Sequence, residues 1–255
     1  MAMARAGSSP QKSWLYGWHA VLAAWANPAR ICHRLLLGLD SGKEFQERAV
    51  APVGKPRPKP EYAERARFEK ILGKNAVFQN IALEVTELEV LALPDLVRMM
   101  QVRPRATFIM LDQVTDPQNV GAIMRSAAAL GADAMILQNR HAPEAAGALA
   151  KAASGAVELL PICEVVNLSR ALAELAEHDC LALALTETAP PIHTIDIPTK
   201  TCLVLGAEGD GLRPSVRAAC ALAASLPTRP DFGTLNVANA AAIGLYECQR
   251  RAHGI

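Results

Sequence analysis

Three segments in the second half of this 255-residue chain carry residue types that could do chemistry. The first, residues 111–126 (LDQVTDPQNVGAIMRS), joins an apolar run to a helical pattern. Asn119 stands where an N-cap belongs. Arg125 follows six residues later, among Ile123, Met124, Ala127, Ala128 and Ala129. Such an Arg is either a surface residue or a guanidinium at the carboxyl edge of a sheet, where open α/β sheets bind ligands. The second segment, residues 205–212 (LGAEGDGL), has three glycines in six residues, which lets backbone amides approach a ligand closely. It is neither a dinucleotide fingerprint nor a Walker loop. Glu208 argues against a phosphate ligand, because a carboxylate beside a phosphate costs energy unless a cation intervenes. A tight turn with a solvated Glu would read the same way. The third segment, residues 226–246, runs from a loop with Pro227, Pro230 and Gly233 into a helix starting near Asn236. Thr234 and Asn236 are both capping residue types.

The surrounding pattern says what positions these segments. Strands are expected at 107–111, 134–137, 157–160, 180–186, 201–205 and 224–226. Helices are expected at 119–130, 145–153, 168–177, 215–220 and 237–251. Continuous apolar strands alternating with helices imply an α/β domain with a parallel sheet covered on both faces. Before residue 105 the pattern differs. Residues 1–13 read as disordered, 14–39 as a helix broken at Asn27-Pro28, and 51–60 as an extended proline-rich segment. A helix over 61–73 stopped by Gly73, a strand over 77–83 and a helix over 93–100 complete the first half.

Composition limits the function classes. Hydrophobic residues make up 51% and charged residues 20%, which excludes wholesale disorder. No apolar run reaches the length of a membrane span, and no secretory h-region precedes Trp14. The six cysteines form no Cys-x-x-Cys pair, so neither structural zinc nor a disulfide framework is expected, and buried thiols in a reducing cytoplasm are. No metal site is anticipated. Charge divides unevenly. Residues 1–104 hold 15 Lys and Arg against 10 Asp and Glu, a net of +5, and residues 105–255 hold 11 against 15, a net of −4. The excess is densest at Lys55, Arg57 and Lys59, and continues through Arg65, Arg67, Lys70 and Lys74. That run is either a solvated linker or a contact for a polyanion.

Taken together, the three segments resemble the motifs of the SpoU/TrmH-type RNA 2′-O-ribose methyltransferases of the SPOUT superfamily. Asn119 and Arg125 match the first motif, and Gly206, Glu208, Gly209 and Gly211 the second. Thr234, Leu235, Asn236 and Val237 match the third, with order and spacing also in agreement. Residues 16–21 are similar to the start of the small ribosomal-protein L30e-like RNA-binding domain of the bacterial 23S rRNA guanosine 2′-O-methyltransferase subfamily. That subfamily usually carries His-Gln-Gly where Phe78-Gln79-Asn80 stands here.

After the segment 1–13 read as disordered, the resemblance implies an RNA substrate-binding domain over 14–100 and a methyltransferase domain over 105–255 with a trefoil-knotted α/β fold. It implies S-adenosyl-L-methionine as cofactor, held by Gly206, Leu226, Thr234 and Leu235. Asn119, Arg125, Glu208 and Asn236 become catalytic candidates, with Glu208 and Asn236 orienting Arg125. The basic excess on the extended proline-rich segment makes Lys55, Arg57 and Lys59 the expected RNA contacts, beside Arg125. The resemblance also implies a cytoplasmic homodimer joined through the C-terminal domain. A guanosine of 23S rRNA is the expected target. A tRNA 2′-O-methyltransferase or a catalytically inactive knotted RNA-binding assembly factor is the alternative. A nucleotide-dependent oxidoreductase is disfavoured, because no Gly-x-Gly-x-x-Gly follows a strand.

Overall fold

Two backbone breaks divide the helix expected over residues 14–39. The computed structural model describes residues 11–139, 146–229, 231 and 233–253. Gly17 adopts φ 86°, a conformation open to glycine. The chain turns there from strand β1 (Lys12–Tyr16) into helix α1 (Trp18–Ala26). Pro28 cannot continue the helix, and strand β2 (Cys32–Leu37) follows. Leu35, Leu36 and Leu37 are fully buried on both faces of that strand. A short apolar run of this kind cannot be told from a buried helix by periodicity alone. The disorder expected to residue 13 ends sooner, since β1 pairs from Lys12, and residues 1–10 lie outside the described residues.

Helix α2 (Gly42–Arg48), strand β3 (Pro60–Tyr62), helix α3 (Arg65–Leu72) and strand β4 (Ile81–Thr86) follow. The helix expected from residue 61 thus opens as a strand, while Gly73, at φ 88°, ends it as expected. The mixed sheet runs β1-β4-β2-β3, with β2 and β3 parallel and the other pairs antiparallel. The strand expected from 77 begins only at Ile81, because Gln79 and Asn80 both turn through left-handed φ of 56°. Asparagine is among the few residues that visit this region routinely. Gln79 Oε1 accepts the Trp18 N–H at 3.2 Å, capping α1 where Gly17 has no side chain to do so. Phe78 is buried and stacks on Phe68 with ring centroids 4.8 Å apart.

Among the described residues the chain forms two compact units. One lies within Met1–Glu89 and Ala145–Glu158, the other within Val90–Glu144 and Leu159–Ile255. Helix α6 (Ala146–Ala152) therefore packs in the first unit, against β1. A Cβ on Gly147 would lie 2.7 Å from the Trp14 carbonyl oxygen, so the helix backbone approaches the strand directly. Residues 156–158 form a 3₁₀ turn rather than the strand expected over 157–160. Glu158 is drawn inward there. Its carboxylate accepts Arg30 Nε and Nη2 at 2.8–3.0 Å and Asn27 Nδ2 at 2.7 Å.

The second unit holds helix α4 (Leu93–Gln101), strand β5 (Ala106–Asp112), helix α5 (Pro117–Ala129) and strand β6 (Ala134–Gln138). Strand β7 (Ile162–Val165), helix α7 (Leu168–Ala176), strand β8 (Leu181–Leu185) and strand β9 (Lys200–Gly206) come next. Helix α8 (Pro214–Ala219), strand β10 (Leu222–Ala224) and helix α9 (Val237–His253) close it. The order is β10-β8-β9-β5-β6-β7, and every pair is parallel. Every residue of β5 is buried, as a strand covered on both faces requires.

Candidate functional site

The strand order of the second unit's parallel sheet reverses between β5 and β9. From β5 the chain moves on to β6 on one side, and from β9 to β10 on the other. Ligands of open α/β sheets bind in the crevice outside the carboxyl ends of strands at such a switch point. The three chemically odd segments follow β5, β9 and β10, so all three leave this edge.

Beyond Gly206 the backbone folds back on itself. The Gly211 N–H donates to the Ala207 carbonyl at 3.0 Å, and Gly209 and Gly211 take φ of 86° and 65°. A Cβ on Gly206 would stand 2.1 Å from the Gly211 carbonyl carbon, so only glycine closes this loop. Over Gly209 and Gly211 a Cβ would meet open space.

Glu208 reaches from this loop to the other two segments. Its Oε1 accepts Asn236 Nδ2 at 2.6 Å, Asn119 Nδ2 at 3.3 Å and the Val237 N–H at 3.3 Å. Asn236 Nδ2 also donates to Asn119 Oδ1 at 3.0 Å, and Asn236 Oδ1 caps α9 through the Ala238 N–H at 2.9 Å. The carboxylate thus sits at the start of α9, where the helix dipole favours negative charge. With three donors converging on one oxygen, Glu208 fastens three chain segments together.

Asn119 is free to join this cluster because it is not the cap of α5. Asp116 is, accepting the Gln118 N–H at 3.0 Å, and Asn119 lies inside the first turn. Arg125 stands apart from the cluster. Six residues along an α-helix is about 9 Å of rise and about 120° of rotation away from Asn119. Arg125 is exposed and makes no hydrogen bond or ion pair among the described residues, so the orienting contact expected from Glu208 and Asn236 is not made. Leu226 lies two residues past β10 and is half-buried, while Thr234 and Leu235 are exposed just before α9. Pro230 and Phe232 lie outside the described residues.

Sequence reasoning missed Asp112, Gln138 and Arg213. Arg213 donates its backbone N–H and its Nε to the Asp112 carboxylate at 2.9 and 2.7 Å, and its Nη2 to Gln138 Oε1 at 2.9 Å. Asp112 is fully buried. The available signal was an acidic residue closing an otherwise apolar strand. The cysteines offer no nucleophile. Burial pushes the thiols of Cys163, Cys180 and Cys248 up to about 12 and that of Cys220 to about 11.

The basic run of the first unit needs correction at Arg57. Its Nε and Nη2 donate to the Trp25 and Asn27 carbonyls at 2.8 Å, and Nη1 to the Arg30 carbonyl at 3.2 Å. A guanidinium spent on the carbonyls that end α1 is a helix cap, not a phosphate contact. Arg65 and Arg67 pair with Glu69 and Glu61. Lys55, Lys59, Lys70 and Lys74 remain exposed, without an ion pair among the described residues.

Fold and site define the second unit as an open parallel α/β unit with a three-segment polar cluster at its switch point. The profile of the SpoU rRNA Methylase family matches residues 106–246, and that of the RNA 2′-O ribose methyltransferase substrate-binding domain matches residues 14–91. The chain belongs to the SpoU rRNA methylase family. It is 34% identical over 195 residues to the 23S rRNA (guanosine-2′-O-)-methyltransferase RlmB of Acinetobacter baylyi, covering 75% of this chain and 78% of that one. With RlmB of Haemophilus ducreyi it shares 31% identity over 243 residues, covering 93% and 97%. A solved structure, the SpoU methyltransferase AviRb of Streptomyces viridochromogenes with the cofactor AdoMet, has a TM-score of 0.74 at 22% identity over 94% of this chain and 90% of that one. At that identity the likeness shows the fold alone.

Proposed function

We propose that this chain is an S-adenosylmethionine-dependent RNA 2′-O-ribose methyltransferase acting on a guanosine of 23S rRNA. The observation that carries this reading is the Asn119–Glu208–Asn236 cluster, which joins the three motif segments at the switch point. The names of the RlmB relatives support the target.

The residues present fit the cofactor. The open space over Gly209 and Gly211 admits a ligand against bare backbone, and Gly206, Leu226, Thr234 and Leu235 flank the loops that would hold it. S-adenosylmethionine supplies an electrophilic methyl group on a sulfonium. Asn119, Glu208 and Asn236 act by keeping the glycine loop, α5 and α9 in register. Arg125, exposed on α5, is a cation without an ion pair among the described residues. Its guanidinium, always protonated and forked, suits the phosphate beside the target ribose and the charge developing on the 2′-oxygen. It is a poor proton acceptor for the same reason. In the first unit, Lys55 and Lys59 serve as phosphate contacts, and Lys70 and Lys74 extend that patch.

The proposal also includes the trefoil-knotted form of the second unit, the L30e-like form of the first, and a homodimer. Ile243 and Tyr246, three residues apart on α9, are 45% and 56% exposed, an apolar stripe suited to a two-fold contact between copies. Calorimetry with S-adenosylhomocysteine is expected to give one site per chain, and sedimentation of the full chain two copies per particle. No binding heat at millimolar ligand, with or without RNA, would sink the methyltransferase reading. A monomer at tens of micromolar would sink the dimer.

A further inference from the structure

We infer that Asp112 and Arg213 form a clasp that sets the conformation of the glycine loop, making both positioning residues for the reaction at this site. The inference rests on the reading of that loop as the cofactor's. Asp112 holds the loop at both ends. Its backbone lies in ladder register with Gly206, where the loop begins, and its carboxylate binds the backbone N–H and Nε of Arg213, just past the loop's end. The clasp continues along the sheet edge. Arg213 Nη2 donates to Gln138 Oε1 at the end of β6, and Gln138 Nε2 donates to the Val166 carbonyl at 2.8 Å, just past β7. The ends of β5, β6, β7 and β9 are thereby tied to one guanidinium.

The loop needs such a constraint. Glycines at 206, 209 and 211 give its backbone many alternatives. Among its side chains, Glu208 alone has described hydrogen bonds reaching outside the loop. If the exit is released, Glu208 loses its fixed approach to Asn119 and Asn236, and the open face over Gly209 and Gly211 loses its shape. Among the described residues Arg213 makes no hydrogen bond to Asn119, Glu208 or Asn236, so its effect runs through the loop.

The test is Arg213→Ala in the full chain. S-adenosylhomocysteine affinity is measured by calorimetry, and kcat and the KM for RNA are measured at a temperature well below the unfolding midpoint. Affinity and kcat should each fall about tenfold, the loss of about 1.4 kcal/mol of pre-organisation. The KM for RNA should move less than twofold. A purely structural role would lower the melting temperature without this split. If Arg213→Ala does not fold, Arg213→Lys serves, since it keeps a charge near Asp112 but not the fork to Gln138. It should show a smaller loss of the same pattern. A folded Arg213→Ala chain with wild-type affinity and kcat overturns the clasp. Absence of binding by the wild-type chain instead overturns the cofactor reading, which separates the two.

Discussion

Replacing Arg125 by alanine is expected to slow methyl transfer by about 10²–10³-fold, while S-adenosylhomocysteine affinity stays within twofold of the wild type. The size follows from the role. A donor aimed at charge that develops on the 2′-oxygen acts mostly in the transition state, so its loss appears in kcat. The selectivity follows from the geometry, because Arg125 lies outside the cluster that fastens the glycine loop. Arg125→Lys should recover little, since an ammonium cannot present the planar fork. A Lys variant with near-wild-type activity would contradict the bidentate role. An Ala variant with near-wild-type activity would remove Arg125 from the site. Single-turnover methylation of 23S rRNA fragments measures both.

The largest expected effect on stability is at Glu158. Its pair with Arg30 is nearly dry, with side chains 4% and 3% exposed, and Asn27 donates to the same carboxylate. Glu158→Gln leaves the Arg30 guanidinium buried beside a neutral amide. Breaking one side of such a pair costs about 3–5 kcal/mol. The three tryptophans, Trp14, Trp18 and Trp25, all lie in the first unit, so their fluorescence during urea unfolding reports that unit. Glu61→Gln is the comparison. It breaks ion pairs with Arg34 and Arg67 that are more than a third exposed, and should cost under about 1 kcal/mol. Equal costs for the two variants would contradict the assignment of Glu158 as the internal fastening of α6 and its turn.

Strands β5, β6, β8 and β9 were legible because each is a short apolar run bounded by turn residues, as at 107–111 and 201–205, whereas β7, expected at 157–160, lies at Ile162–Val165 with Glu164 inside it. Helix α9 and the stop at Gly73 were read for equally local reasons. The first unit was not. Residues 35–37 are leucines buried on both sides, a pattern that serves a strand or a helix equally. The left-handed pair Gln79–Asn80 delays β4 by four residues without any glycine to announce it. The placement of α6 depends on contacts with β1 more than a hundred residues earlier, and periodicity carries no such information. The site followed the same division. Asn119, Glu208 and Asn236 could be chosen from motif spacing, but their mutual hydrogen bonds could not. Arg57 looked like one charge of a basic run, yet its donors close α1. Asp112 was concealed as the last residue of an apolar strand, and its partner lies 101 positions away.

The reaction itself is measured by supplying the purified chain with methyl-labelled S-adenosylmethionine and a mixture of 23S rRNA and tRNA lacking 2′-O-methyl groups, then mapping the label by nuclease fragmentation and nucleoside analysis. Label in 2′-O-methylguanosine at a single site, lost with Arg125→Ala, is the result expected. Label on a base, label confined to tRNA, or no transfer by a chain that binds S-adenosylhomocysteine would contradict it.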